Sequence, residues 1–175
     1  MMERYDDNST SMREGTRRQL NDVRRALLHL HRVLLDIERR AYERVHGRVS
    51  AGELLELLIR HEQFAWLHVI SELVVRIDEL LDGEEPAEED DAHLLMTEAR
   101  SALVPAESGT GFARNYFLAL QGDPGAILAH RAVSMTLAAG GRRQEFGVSG
   151  EPCLSGGCQH RPMRLRIPYI KMCES

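Results

Sequence analysis

The chain has 175 residues, 43% hydrophobic and 28% charged, which suits one ordinary soluble domain with a sizeable core. No window approaches ~18 uninterrupted apolar residues, so a helical membrane span is excluded. The net charge is −5; residues 140–175 hold six basic against three acidic side chains, so the rest stands at −8 and matches a phosphate backbone poorly. The first twenty residues lack an apolar stretch of signal-peptide type. The resulting expectation is a cytoplasmic protein with no nucleic-acid and no membrane partner.

Residues 1–10 are polar and are expected to fray. Ser11-Met-Arg-Glu14 can act as a capping box, and a long helix is predicted from there to His46. Leu20, Val23, Leu27, Leu30, Leu34, Ile37 and Ala41 alternate spacings of three and four, a heptad stripe that must face a partner helix. Gly47 is the predicted stop, with His46 suited to the negative end of the helix.

Ser50 and Glu53 form a second capping box, flanked by Val49 and Leu54 as a hydrophobic staple. Gly83 closes the segment. Placed at intervals of about 100°, the apolar residues from Trp66 to Leu81 share one sector of roughly 160°. Carried backward, the same phase puts Glu62 and Gln63 in the apolar sector and Leu54, Leu57 and Leu58 on its far side. The register therefore breaks near 61–63, and two helices are predicted, about 50–60 and 62–82.

Pro86 suits the first turn of a third helix, with the acids Glu88 to Asp91 at its positive end. Leu95, Ala99, Ala102 and Leu103 are its apolar positions. After the loop 108–111, with Thr110 as a plausible cap, a helix is predicted over 112–120. Gly122-Asp123-Pro124 reads as stop, N-cap and first helical residue. The last helix presents Ile127, Leu128, Ala132, Val133 and Met135 and ends at Gly140-Gly141.

Residues 140–175 lose helical periodicity and gain Gly, Pro and Cys. They contain the sole lysine, Lys171, and all three cysteines, Cys153, Cys158 and Cys173. This composition fits an out-of-frame or vector-derived extension best, ahead of a disordered natural tail or a functional module. Cys153, Cys158, His160 and Cys173 could supply four zinc ligands, but the spacing lacks the short Cys-x2-Cys knuckle.

Candidate chemistry in the helical body is sparse. A di-metal carboxylate bundle needs two Glu-x-x-His motifs; only Glu43-Arg-Val-His46 is present, beside a helix stop where an ion pair is the plainer role. His61, His68 and Glu72 share a helix face at ligand-like spacing, but that face is the polar one. Arg24, Arg25 and Arg39 superficially match the cationic helices of chorismate mutases, whose usual lysine is missing. The glycines at 109 and 111 are too few for a phosphate loop, and no nucleophile elbow, P-loop or dinucleotide fingerprint occurs. No catalytic, cofactor-binding or metal residue is therefore assigned. Phe64, His68, Ser71 and Val75, at i, i+4, i+7 and i+11, form a candidate partner-contact face, with packing inside the domain as the alternative.

Residues 61–67, His-Glu-Gln-Phe-Ala-Trp-Leu, and 71–79, Ser-Glu-Leu-Val-Val-Arg-Ile-Asp-Glu, resemble a family of small all-helical bacterial proteins without an assigned activity. Its pattern is His-Asp-Pro-x-Phe-Ala-Trp-Leu followed by Leu-Ser-Glu-Leu-Ile-Val-Arg-Ile-Asp-Glu. The resemblance covers roughly residues 20–138. Glu62-Gln63 departs from the Asp-Pro of the family, which would mark a helix start at the phase break. It implies no catalytic residue.

The expectation is an all-α domain of about five helices over 12–139, bundle-like, with an irregular tail over 140–175. Its core should include Leu27, Leu30, Leu34, Ile37, Trp66, Ile70, Leu73, Ile77 and Leu80. The preferred function is a non-enzymatic protein-interaction or regulatory module, with a homodimer as one form of it. The alternative is a small-molecule- or metal-binding bundle with enzyme activity.

Overall fold

The heptad stripe is the axis of the molecule. In the structure, a computed structural model that describes residues 12–83 and 87–139, that stripe belongs to α1 (Glu14–His46). α1 has 33 residues, on the order of 50 Å at the helical rise. Its Leu20, Val23, Leu27, Leu30 and Leu34 are fully buried, whereas Ile37 and Ala41 further along are only partly covered. Six more helices follow: α2 (Ala51–Arg60), α3 (Glu62–Ala65), α4 (His68–Asp82), α5 (Glu89–Ala102), α6 (Phe112–Gly122) and α7 (Pro124–Ala139). The described residues form no extended strand, and the fold is all-α.

The first helix starts differently from expectation. Arg13 holds the N-cap position without a side-chain cap, and its N–H donates to the Glu89 carboxylate at 2.8 Å. The Thr16 hydroxyl donates to the same carboxylate at 2.6 Å, so α5 supplies the acceptor. Burial raises the Glu89 carboxyl, but these two donors, with the charges of Arg13 and His93, outweigh it and hold it below the ordinary range. Ser11 lies outside the described residues. The far end matches: Gly47 takes φ 85°, a left-handed value that suits glycine, and its N–H returns to the Glu43 carbonyl.

α4 and α7 pack on α1. Both run antiparallel to it: Arg24 pairs with Asp78 and His31 meets Ser71, while Gln19 reaches the Thr136 carbonyl and Arg40 pairs with Asp123. α4 contributes Ile70, Leu73, Val74, Ile77 and Leu81 to the core, with Leu80 only partly covered. α5 contributes Ala92, Leu95, Met96 and Ala99 and is tied to α4 by an Arg76–Glu98 pair.

The phase break near 61–63 is real. The capping box of α2 is complete: Glu53 N–H donates to Ser50 Oγ, and the Ser50 N–H donates to the Glu53 carboxylate at 2.7 Å. Those bonds hold the Glu53 carboxyl below its usual value. At His61 the backbone turns extended (φ −97°, ψ 127°), and the ring Nδ1 accepts the Gln63 N–H to start α3. A second interruption was not foreseen. Trp66 and Leu67 keep helical dihedrals but form tighter i→i+3 bonds, Phe64 to Leu67 and Leu67 to Ile70. The tighter turn buries Phe64, Trp66 and Leu67 together. The predicted 62–82 helix is thus α3 plus α4.

Two cap assignments are corrected. α5 begins at Glu89, after Glu88 as N-cap, rather than at Pro86, which lies outside the described residues. α6 is preceded by Gly111 at φ 58°, not capped by Thr110. The predicted Asp123 cap holds: its Oδ1 accepts from Gly125 N–H at 2.8 Å and Ala126 N–H at 3.4 Å. Burial raises its carboxyl, but Arg40 and these N–H groups prevail and keep it below the ordinary range. The assignments made for residues 140–175 lie outside the described residues.

Candidate functional site

α7 has the least contrast between its faces. Its sequence, PGAILAHRAVSMTLAA, has Arg131 as its single Asp, Glu, Lys or Arg residue. Of the five apolar positions noted in its sequence, Ile127, Leu128, Ala132, Val133 and Met135, only Val133 is buried. Ala126, Ala129, Val133 and Leu137 make the buried stripe instead. Ala126 and Ala129 there let the first half of α7 come close to its neighbours, Val133 and Leu137 fill the second half, and Ile127, Leu128 and Met135 are left outward. Ile127 is 52% exposed, Leu128 69% and Met135 62%. Ala132 and Ala139 are also exposed. Leu128, Ala132, Met135 and Ala139 follow spacings of four, three and four, a second heptad stripe, and this one has no covering helix among the described residues.

The other edge of α7 is polar. The Tyr116 hydroxyl, on fully buried Tyr116 of α6, lies 2.6 Å from His130 Nδ1. Ser134, one turn on, places Oγ 3.4 Å from His130 Nε2. Burial raises the Tyr116 pKa far above its ordinary value, so the phenol keeps its proton. Burial also lowers that of His130, which favours the neutral ring. Phe112 stacks on Tyr116 at 5.1 Å between ring centres, and Trp66 stands 5.7 Å from Phe112. This aromatic row fixes Tyr116, and Tyr116 fixes His130. A groove of about 330 Å³ opens beside them, between the end of α5 with Val104-Pro105 and the edge of α7. Arg100 reaches across to the Leu137 carbonyl.

The sequence-predicted sites fare differently. Phe64, His68, Ser71 and Val75 do not form one exposed face. Phe64 is fully buried near Tyr42 and His61, because the tightened turn at Trp66–Leu67 shifts its phase from that of α4. His68 is exposed, with Nε2 2.8 Å from the Leu58 carbonyl. Ser71 Oγ stands 3.2 Å from His31 Nε2; burial and the nearby His68 charge lower the His31 pKa. Val75 is exposed.

Glu43 and His46 have structural roles: Glu43 accepts the Val49 N–H and pairs with Arg39, and His46 stacks on Tyr42 at 4.2 Å. His61 and Glu72 are exposed. Among the described residues no group of three or more His, Cys, Asp or Glu side chains is placed to hold a metal ion. Arg24 and Arg39 have carboxylate partners in Asp78 and Glu43, and Arg25 lies 4.0 Å from Asp22.

Sequence reasoning missed Tyr116, His130, Ser134 and Arg100. The i, i+4 spacing of His130 and Ser134 was visible, but such a pair is common on helices. Tyr116 and Arg100 come from other helices and carry no spacing signal. No helix among the described residues is long and apolar enough to cross a membrane. No protein-family model, curated protein sequence or solved structure matches this chain.

Proposed function

We propose that the chain is a non-enzymatic interaction module that pairs with a second copy of itself through α7. The observation that carries this reading is the Leu128–Ala132–Met135–Ala139 stripe, which is exposed and which no described residue covers. Set antiparallel against its own copy, the stripe matches large to small: Leu128 meets Ala139, and Met135 meets Ala132. The same patch serves both copies, as a closed twofold dimer requires. Arg131 falls to the side of the seam, where its charge stays in water. A single helix pair is a small interface, so the dimer is weak, with a Kd on the order of micromolar.

Sedimentation velocity over a concentration series tests this. The full chain should shift from monomer to dimer, and Leu128→Glu should remain monomeric with unchanged helical circular dichroism. A chain that is monomeric at about 1 mM overturns the reading. A Leu128→Glu chain that still dimerises overturns the α7 seam.

A further inference from the structure

We propose that the groove between α5 and α7 is a binding site for a small monocarboxylate with an apolar body. Its volume, about 330 Å³, is at the lower end of what holds a small ligand. Leu103, Pro105 and Leu137 give it an apolar lining, and the polar groups at its wall are Arg100, His130 and Ser134. Among the described residues no acidic side chain lines it.

The hydrogen-bond chain decides what those groups offer. The described residues provide the Tyr116 hydroxyl with one partner, His130 Nδ1. A buried hydroxyl donates its proton where an acceptor exists. Nδ1 is therefore the acceptor, and the proton of the neutral ring sits on Nε2. Ser134 Oγ, 3.4 Å from Nε2, is at most a weak acceptor, so its own proton is free to donate. Arg100 spends one nitrogen on the Leu137 carbonyl and keeps its other N–H groups. The wall thus presents one full positive charge and two neutral donors, the complement of a carboxylate.

The same tautomer argues against hydrolytic chemistry. A serine nucleophile needs a base with a free nitrogen facing it. His130 faces Ser134 with a protonated nitrogen, so it cannot take the serine proton. The carbonyl end of α5 beside the groove opposes an anion, and Arg100, in the last turn of α5, offsets it. The groove lies on the α5 edge of α7, away from the Leu128 seam, so this proposal stands independently of the dimer.

Titration of the full chain with benzoate, and with benzamide as the uncharged isostere, followed by nitrogen-15 NMR of the histidine rings, tests it. Saturable benzoate binding should perturb the His130 signals, with benzamide at least about tenfold weaker, the worth of a charge-assisted hydrogen bond. Arg100→Gln should weaken benzoate by a similar factor. Ser134→Ala, which keeps the fold irrespective of Arg100, should weaken it by a few-fold. Before ligand is added, the His130 ring should show the Nε2–H tautomer, and Tyr116→Phe should release it to a mixture. Equal affinity for benzoate and benzamide, binding that leaves His130 unperturbed, or an Nδ1–H tautomer in the free protein would each overturn the proposal.

Discussion

α1 and α7 lie side by side and antiparallel, yet their sequences specify burial in opposite ways. α1 sets one apolar stripe against charge, so water can reach only one solution for its orientation. Its five buried residues are the ones the heptad pattern selects. α7 carries apolar residues on two faces, with His130, Arg131 and Ser134 between them, so hydrophobicity alone does not choose its inner face. Packing chooses it: Ala126, Ala129, Val133 and Leu137 go inward, and Leu128 and Met135 are left outside. A helix apolar on all sides is ordinarily covered on all sides. α7 instead leaves Leu128 and Met135 on a face that no described residue covers.

The largest effect expected from this contrast comes from truncating the same side chain on the two helices. Leu30→Ala should cost about 2–5 kcal/mol, because it leaves a cavity in a fully buried site. Leu128→Ala, measured below the concentration of dimer formation, should change stability by less than about 0.5 kcal/mol. Urea denaturation of both variants checks this. Similar losses would mean that Leu128 is covered in the monomer.

Enlarging the alanines gives the next effect. Ala129→Leu should destabilise by about 1–3 kcal/mol through overpacking on the buried face. Ala132→Leu should be tolerated by the monomer but should disturb the dimer, since it removes the space opposite Met135. Chemical denaturation and sedimentation together separate these outcomes.

A smaller loss is expected at the start of α7. Asp123→Ala removes the N-cap and the carboxylate that pairs with Arg40 at 2.9 Å, for about 1–2 kcal/mol. Asp123→Asn keeps a capping oxygen and should lose less. Equal losses in the two variants would assign the role of Asp123 to the ion pair instead of the cap.

The smallest effect is the pH dependence. Burial lowers the pKa of His130, and burial together with His68 lowers that of His31, from ordinary values of 6.5. Each ring is harder to protonate in the folded chain, so the unfolded chain binds more protons as pH falls below that value. The stabilising contribution is complete above 6.5 and is lost as pH falls toward the lowered folded values. The urea midpoint should therefore be lower at about pH 5.5 than at about pH 7.5. His130→Gln should flatten the slope, and an unchanged slope would remove His130 from the account.

Much of the fold was legible because local signals agreed. The Ser50–Glu53 box, the Gly47 stop, the Asp123 cap and the break at His61 each rest on neighbours within four residues. Predicted core residues of α1 and α4 are buried, apart from Ile37 and Leu80, which are only partly covered. The tightened turn at Trp66–Leu67 was not legible, since no Gly or Pro marks it, and with it went the placing of Phe64. The His130 groove was not legible at all. Its polar groups, Arg100, His130 and Ser134, and the Tyr116 hydroxyl behind them come from α5, α6 and α7, and only packing brings them together.

The sequence alone determined the all-helical class, the helix ends marked by Gly47, Ser50 and Asp123 and the inward face of α1, because those follow from periodicity and capping within a few residues. Tertiary structure alone decided which face of α7 is buried, where Phe64 points, and that Tyr116 meets His130. In each case several positions were equally apolar or equally polar. The choice among them rested on which backbones could approach and which buried hydroxyl could find an acceptor, and those are properties of the packed chain.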